Sequence, residues 1–294
     1  MTSRSNTLLK TAAWFAGILP DGVKRLLYRL PFLAKPIRTA LNAAAPDGYT
    51  LVEIASGPAK GFSMGLDLHA EKDYWLGTYE PDLRDTAQKL IQPGDVIYDV
   101  GANIGYISLL CASLSGPHGR VFSFEALPAN IGRLTANVKI NHLESRIAII
   151  HAAVTDHKGP VTFYTHRSGA MGKAEGSAGR DEEYRDSITV DGIALDDFMA
   201  ANQNRGPELI KMDIEGGEGN ALRGSVQLIS AHKPTFLVEL HGEVAASQVW
   251  DILSQNDYQI HTLQNGYPRI NSLHQLDWKA YIVAIHPSKA ARLT

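Results

Sequence analysis

Gly94-Asp-Val-Ile-Tyr-Asp-Val-Gly-Ala-Asn-Ile-Gly-Tyr-Ile-Ser-Leu-Leu110 is the stretch that decides the fold. Val96–Val100 is a short apolar run with β-branched members, which predicts a buried strand. Gly101 and Gly105 follow, and the apolar residues after them are spaced as on a helix. A strand that turns through glycines into a helix brings backbone N–H groups and a positive helix end to one point. This point suits a charged small molecule, with Asp99 adding a carboxylate, although a plain strand-to-helix turn is the alternative.

The composition is that of an ordinary globular protein. The chain has 294 residues, of which 44% are hydrophobic and 20% charged, so it can bury a large core. Its formal net charge of -3 gives no reason to expect a nucleic-acid partner. Cys111 is the single cysteine, which excludes an intrachain disulfide and a multi-cysteine zinc site.

Residues 1–45 are basic, and their charges are interleaved with apolar side chains. Seven lysines and arginines stand against Asp21 alone, so this segment has a net charge of +6. The apolar run from Thr11 to Leu19 is too short to span a bilayer. A basic amphipathic segment can lie on an anionic membrane or cover an apolar groove of its own domain, and both interpretations stay open. The expected location is therefore cytoplasmic, with peripheral membrane contact through residues 1–45 as an open alternative.

Strand and helix patterns alternate from Asp95 onward. The predicted strands are Val96–Val100, Arg120–Phe124, Ile147–Val154, Leu209–Ile214, Thr235–Leu240, Tyr258–Leu263 and Tyr281–Ile285. The predicted helices between them are Ile104–Ser115, Ala129–Asn141, Gly219–Ala231 and Val244–Gln255. This alternation predicts an α/β fold with a parallel, doubly wound sheet, preceded by a β-hairpin within residues 46–80.

The alternation is interrupted after Val154. Pro160–His166 and Ser187–Val190 predict two short strands around the polar, glycine-rich stretch Arg167–Asp186, which has the composition of a mobile loop or lid. We therefore expect two parts. Residues 1–73 would form basic amphipathic helices and a small β-meander, and residues 74–294 the main domain, with a β insertion at 157–190.

Acidic side chains lie at the tips of several predicted strands. Glu125 ends the second strand, where it is placed to bond the hydroxyls of a ribose. Asp213 and Glu239 interrupt apolar strands, which is costly unless something compensates them. Glu215 and His241 follow two residues later and share their faces. These pairs predict either an acid–base site or ligands for a divalent ion, with structural neutralisation as the alternative.

Several motifs, taken in order, resemble the FkbM family of S-adenosylmethionine-dependent methyltransferases. They are Gly77–Pro81, Asp99–Gly105, Phe124–Pro128, Lys211–Glu218 and Pro234–Glu239. The resemblance covers about residues 74–285. It implies a Rossmann-like class I methyltransferase sheet with the N-terminal helices and hairpin as an extension.

The resemblance also implies which residues bind S-adenosylmethionine. The methionine end would be held by Asp99, Gly101, Asn103 and Gly105. Glu125 would bind the ribose, and Ala153 and Asp156 would border the adenine.

Catalysis would depend on the tips of the next two strands. Asp213 would face the reacting centre and is the first candidate for the base, with Glu239 and His241 behind it. If a divalent ion such as Mg²⁺ takes part, Asp213 and Glu239 would bind it and lower the pKa of the acceptor hydroxyl. The sequence leaves both routes open.

The expected function is O-methylation of a hydroxylated small molecule such as a sugar, a glycolipid or a polyketide-type product. One alternative is a nicotinamide-dependent oxidoreductase, because a glycine turn followed by Glu125 also fits a dinucleotide, although the third glycine of that turn is missing. Another is a membrane-attached binding protein without enzymatic activity that uses residues 1–45. The oligomeric state is left open.

Overall fold

The computed structural model describes residues 3–20, 22–23, 26, 30–166, 171–178, 184–203 and 205–293. Before the sheets, the described residues include the helices α1 (Ser3–Ile18) and α2 (Pro31–Ala44). They are followed by the expected antiparallel hairpin of β1 (Tyr49–Glu53) and β2 (Ser63–Asp67). Two further helices, α3 (Lys72–Leu76) and α4 (Pro81–Leu90), connect the hairpin to the central sheet.

The remaining elements alternate largely as the sequence predicts. The strands are β3 (Val96–Val100), β4 (Arg120–Glu125), β5 (Ile147–His151), β6 (Ala153–Val154), β7 (Gly159–His166), β8 (Gly172–Ala174), β9 (Tyr184–Ile193), β10 (Leu209–Met212), β11 (Thr235–Glu239), β12 (Gln259–Thr262), β13 (Arg269–Ile270) and β14 (Tyr281–Ile285). The helices are α5 (Tyr106–Ser115), α6 (Pro128–Ile140), α7 (Leu195–Ala201), α8 (Glu218–Arg223), α9 (Val226–His232) and α10 (Glu243–Gln255). Short 3₁₀ helices cover Leu273–Gln275 and Pro287–Arg292.

The central sheet has eight strands in the order β13-β12-β14-β11-β10-β3-β4-β5. Strands β5, β4, β3, β10 and β11 run parallel, as predicted. Strand β14 is antiparallel to both β11 and β12, so the prediction of an all-parallel sheet is wrong at this strand. The reason is local, because β13 and a 3₁₀ turn, rather than a crossover helix, connect β12 to β14.

The central sheet is covered on both faces. Alternate residues of β3 point to opposite sides, so Ile97 joins one apolar cluster while Tyr98 joins the other. The first cluster contains residues of α4, α5 and α6 together with the N-terminal elements, and the second contains residues of α7, α8, α9 and α10. This is the expected doubly wound α/β architecture, and it leaves the carboxyl ends of β3, β4, β10 and β11 at one edge.

The N-terminal elements are attached to this frame by packing and by side-chain amides. Asn137 of α6 accepts from the Gly65 N–H at 2.9 Å and donates to the Ile104 carbonyl at 2.9 Å. Leu9 of α1 and Leu41 of α2 are buried in the same apolar cluster as the hairpin. No helix in the described part of the chain is long and apolar enough to cross a membrane.

The interruption after β5 forms a second sheet with the order β6-β9-β7-β8. Strands β7 and β9 pair antiparallel and contain the two predicted short strands. Residues 167–170 and 179–183 of the predicted loop Arg167–Asp186 lie outside the described part of the chain. The described residues of that stretch contain the short strand β8. Phe163 and Val190 pack on Leu127, directly after β4, so this sheet covers the edge where the parallel strands end.

Candidate active site

A cavity lies at the carboxyl ends of the central parallel strands. Seven of the predicted site residues line it, namely Gly101, Asn103, Glu125, Ala153, Asp213, Glu239 and His241. The small sheet contributes Phe163 and Ala174 to its wall. Glu125 of β4 and Asp213, directly after β10, therefore face the same space.

The loop between β3 and α5 is shaped by glycines with positive φ. Gly101 has φ +80°, and a Cβ there would lie 1.9 Å from the Asp213 carbonyl oxygen. Gly105 has φ +94°, and a Cβ there would lie 2.4 Å from Cδ1 of Leu134. Gly105 does not belong to the cavity wall. Its absent side chain lets α5 pack against α6, whereas Gly101 lets the loop approach the end of β10 closely.

Glu125 connects the glycine loop to the start of α6. Its Oε2 accepts from the Asn103 N–H at 2.7 Å, and its Oε1 accepts from the Leu127 N–H at 2.8 Å. Burial raises the pKa of Glu125, and these two N–H groups oppose that rise. A carboxylate oxygen accepts more than one hydrogen bond, so both oxygens can also receive hydroxyl groups from the cavity.

Asp99 lies beneath the loop and does not line the cavity. It is fully buried, its Oδ2 accepts from Ser108 Oγ at 2.6 Å, and its Oδ1 is 3.6 Å from Lys211 Nζ. The predicted direct contact of Asp99 with the cofactor does not agree with this position. Asp99 instead balances the charge of Lys211 and anchors the first turn of α5.

Asp156 is also outside the cavity. Its carboxylate is half-exposed, accepts from His157 Nδ1 at 2.7 Å and lies 3.9 Å from Arg223. Its expected place beside the adenine stays a prediction, and the backbone leaves the central sheet after β5 to pair with β9. The residue from this segment that reaches the cavity is Ala153.

Lys211 of β10 is a cation buried at the centre of the site. Its Nζ donates to the Gly101 carbonyl at 3.0 Å and lies 3.5 Å from Asp213 Oδ2. Burial favours the neutral amine, but the charges of Asp213 and Asp99 outweigh it and raise the pKa of Lys211 above its ordinary value. A charged lysine thus connects the glycine loop to Asp213.

His241 stands among four carboxylates. Its Nδ1 donates to Glu218 Oε1 at 2.9 Å, and its Nε2 lies 3.7 Å from Asp213 and 3.8 Å from both Glu215 and Glu239. Burial opposes charging of the ring, but the hydrogen bond to Glu218 and the nearby negative charges raise the pKa of His241 to about 9. The imidazole is therefore a cation at neutral pH.

Glu239 differs from Asp213 in its electrostatic surroundings. Burial and the negative charge of Asp213 raise the pKa of Glu239 to about 7, although His241 opposes this rise. Asp213 Oδ2 already faces Lys211 and accepts from Tyr281 Oη at 3.4 Å. The pKa of Glu239 suits this carboxylate to taking up a proton near neutral pH.

Asp213, Glu239 and His241 could also hold a metal ion, because one potential ligand atom from each lies within 4.8 Å of the other two. The raised pKa of His241 works against this arrangement, since a metal would have to displace the proton on Nε2. Mg²⁺ also prefers oxygen ligands to imidazole. The expected Mg²⁺ therefore stays a prediction, and the proton on His241 already supplies a positive charge.

Further polar side chains reach the cavity from outside the predicted set. Tyr74, Tyr79 and Glu80 line it, and Glu80 Oε2 is buried with no hydrogen-bond partner. Glu80 has φ +40°, a strained conformation for a residue with a side chain. Glu80 lies within the motif Gly77–Pro81, but no pattern in the neighbouring sequence indicated that this segment folds over the carboxyl ends of the strands.

An α/β sheet in this strand order, with a cavity at its carboxyl edge, defines a class I methyltransferase fold. Residues 99–260 match the methyltransferase FkbM domain family. The match spans more than half of the chain, and the protein belongs to this family. It is a methyltransferase, as the motifs implied, and the oxidoreductase and non-enzymatic alternatives are not retained.

Curated relatives are similar over most of the chain. The hexuronic acid methyltransferase AglP of Haloferax volcanii is 26% identical over 198 residues, which cover 66% of this chain and 77% of AglP. The 31-O-demethyl-FK506 methyltransferase FkbM of Streptomyces tacrolimicus is 29% identical over 205 residues, which cover 61% of this chain and 73% of that enzyme.

Solved structures of methyltransferases are also similar to this chain. The methyltransferase FkbM from Methylobacillus flagellatus aligns with a TM-score of 0.46 and 21% identity, covering 74% of this chain. The chain spans 53% of the length of that structure. An S-adenosylmethionine-dependent O-methyltransferase from Thermotoga maritima aligns with a TM-score of 0.42 and 15% identity, covering 71% of this chain and 65% of that one.

Proposed function

We propose that this protein transfers a methyl group from S-adenosylmethionine to a hydroxyl oxygen of a small molecule, with a sugar as the preferred class of acceptor. The glycine loop after β3 and Glu125 would hold the methyl donor, and the tips of β10 and β11 would hold the acceptor. Relatives named for methylation of a hexuronic acid and of an FK506 precursor agree with a small-molecule acceptor.

The observation that carries this proposal is the charge of the cavity. Among the described residues of its wall, five carboxylates face two cationic side chains, Lys211 and His241. A negative site attracts the sulfonium and ammonium groups of S-adenosylmethionine and repels the pyrophosphate of a nicotinamide dinucleotide. The two hydroxyls of the donor ribose are matched by the two oxygens of Glu125.

When bound, S-adenosylmethionine supplies an electrophilic methyl group on a positively charged sulfur. The protein then has to place an acceptor oxygen in line with that methyl, and such positioning contributes roughly 7–11 kcal/mol in well-oriented reactions. Glu80 and Asp213 line the cavity and are hydrogen-bonding groups placed to fix a hydroxylated ring, and Tyr281 Oη donates to Asp213. The rings of Tyr74 and Tyr79, 4.4 Å apart, form an apolar wall beside it.

Glu239 is assigned as the base, in place of Asp213, the first candidate on sequence grounds. As the new oxygen–carbon bond forms and the carbon–sulfur bond breaks, Glu239 accepts the hydroxyl proton and the sulfur becomes a neutral thioether. The pKa of Glu239 near 7 suits this role at neutral pH. The charged His241 lies 3.8 Å from Glu239 and steadies its carboxylate before the proton arrives.

The test uses the full chain with methyl-labelled S-adenosylmethionine and a panel of sugars and glycosides, followed by mass spectrometry of each acceptor. Binding of S-adenosylmethionine and NADH is measured in parallel by calorimetry. We expect a labelled methyl ether and binding of S-adenosylmethionine but not NADH. Preference for NADH, or label found on nitrogen or carbon, would contradict the proposal.

A further inference from the structure

Helix α1 is apolar on two opposite faces. Leu9 and Ala16 face inward and are buried against the domain. The opposite face exposes Leu8, Trp14, Phe15 and Ile18, and Trp14 has 60% of its surface exposed. A helix that is apolar all round normally lies inside a protein or against an apolar phase. The domain covers one face of α1 and leaves the other uncovered.

Helix α2 extends this apolar surface. Phe32 and Ile37 are exposed on it. Between α1, α2 and α3 lies an open groove of about 730 Å³ whose apolar side chains include Phe15, Ile37 and Leu76. We name the exposed apolar side chains of α1 and α2, together with this groove, the N-terminal patch. A contiguous apolar surface of this kind marks an interaction site.

The described charged side chains of α1 and α2 have one sign, while Asp73 and Lys72 of α3 both line the groove. Every charged side chain described between residues 7 and 45 is basic, namely Lys10, Lys35 and Arg38, and all three are exposed. In the sequence, residues 1–45 carry a net charge of +6. The patch therefore combines exposed aromatic and aliphatic side chains with exposed basic side chains on the same two helices, which is the pattern of helices that lie in the headgroup region of anionic membranes.

We propose that the N-terminal patch binds the surface of an anionic lipid bilayer. Trp14, Phe15 and Ile18 enter the boundary between headgroups and acyl chains, and the basic side chains approach the lipid phosphates. The packing of Leu9 and Leu41 keeps α1 and α2 attached to the domain during this contact. Tyr74 of α3 lines the catalytic cavity and Leu76 of the same helix lines the groove, so docking brings the cavity close to the membrane.

The experiment is co-sedimentation of the full chain with vesicles of phosphatidylglycerol and phosphatidylcholine, and with vesicles of phosphatidylcholine alone. We expect binding to the anionic vesicles that weakens as salt is added. The double variant Trp14→Glu, Ile18→Glu should bind at least about tenfold more weakly, because apolar insertion provides much of the affinity. The double variant Lys10→Glu, Lys35→Glu should bind anionic vesicles more weakly than the unaltered protein, and the difference should be largest at low salt.

The matched control is the double variant Val226→Glu, Val244→Glu, which places the same two charges on apolar side chains that are 63% and 58% exposed on α9 and α10. It should pellet like the unaltered protein, and all variants should keep the same circular dichroism. Trp14 is the exposed tryptophan in the described part of the chain, so its emission should move to shorter wavelength with anionic vesicles. Failure of the unaltered protein to pellet, equal pelleting of all variants, or a dimer in light scattering that Trp14→Glu dissociates would each overturn the proposal.

Discussion

Glu218 Oε1 lies 2.9 Å from Nδ1 of His241, and this contact fixes which ring nitrogen faces the cavity. The same oxygen lies within hydrogen-bonding distance of the Ile214 and Gly216 N–H groups, so one buried carboxylate organises the loop after β10 and the histidine after β11. Glu218 also begins α8, where the helix dipole favours a carboxylate. Because Glu218 is buried and bonded to His241, it also holds Nε2 of the imidazole toward Asp213 and Glu239.

Glu218→Gln should lower the pKa of His241 from about 9 toward its ordinary value. In the unaltered protein, the raised pKa means that the charged imidazole stabilises the fold fully below about pH 6.5, and that this stabilisation is lost as pH rises through about 9. In the variant, the free energy of unfolding should fall much less over this pH range. Titration of the His241 ring by NMR and the free energy of unfolding against pH check both points, and an unchanged pKa would contradict the assignment.

The rate of methyl transfer should rise with pH through about 7, because Glu239 must be ionised to accept the proton. Glu239→Gln should lower kcat by about 10²–10⁴ and remove this limb of the pH profile. Asp213→Asn should keep the limb but move it to lower pH, since the negative charge of Asp213 raises the pKa of Glu239. A limb that survives in Glu239→Gln and vanishes in Asp213→Asn would return the role of base to Asp213.

Lys211→Met should destabilise the fold strongly, because it leaves the buried Asp99 and the partly buried Asp213 without the cation that both face. Removing one partner of a buried ion pair typically costs about 3–5 kcal/mol in the free energy of unfolding. Lys139→Met, on the exposed end of α6, serves as the control and should change it by less than about 0.5 kcal/mol. Denaturant unfolding measures both, and similar losses in the two variants would count against a central role for Lys211.

Glu80→Gly should stabilise the protein while reducing activity. Gly adopts φ +40° freely, so the variant releases backbone strain of about 1 kcal/mol and removes a buried carboxylate with an unpartnered oxygen. Glu80→Ala removes the same carboxylate and keeps the strain. The difference in free energy of unfolding between the two variants isolates the backbone contribution, and equal stabilities would show that residue 80 is not strained. Both variants should raise KM for the acceptor.

Much of the site could be predicted because parallel strands end at a common edge. Glu125, Asp213 and Glu239 are strand-end carboxylates in apolar surroundings, and the topology alone brings them together. Lys211 had a comparable signal, a lysine inside the apolar run Ile210–Met212, but its partners in β3 and the glycine loop are distant in sequence.

The remaining site residues depend on tertiary structure that no local pattern encodes. Asp156 follows a strand that leaves the central sheet, and no local pattern in the sequence shows that departure. Tyr79 and Glu80 precede the first central strand and enter the cavity because the N-terminal hairpin is fixed to α6 by Asn137. The reversed direction of β14 follows from the segment that connects it to β12. That segment has no helical periodicity from which its structure could be predicted.

The central claim is that Glu125 holds the ribose of S-adenosylmethionine at the tip of β4. Its most direct test is the dissociation constant of S-adenosylmethionine, measured by calorimetry, for the unaltered protein, Glu125→Ala and the exposed control Glu144→Ala. Hydrogen bonds to a charged group contribute about 1.5–3 kcal/mol, so Glu125→Ala should weaken binding at least about tenfold while the control stays unchanged. Equal affinity in all three proteins, with Glu125→Ala folded, would contradict the account.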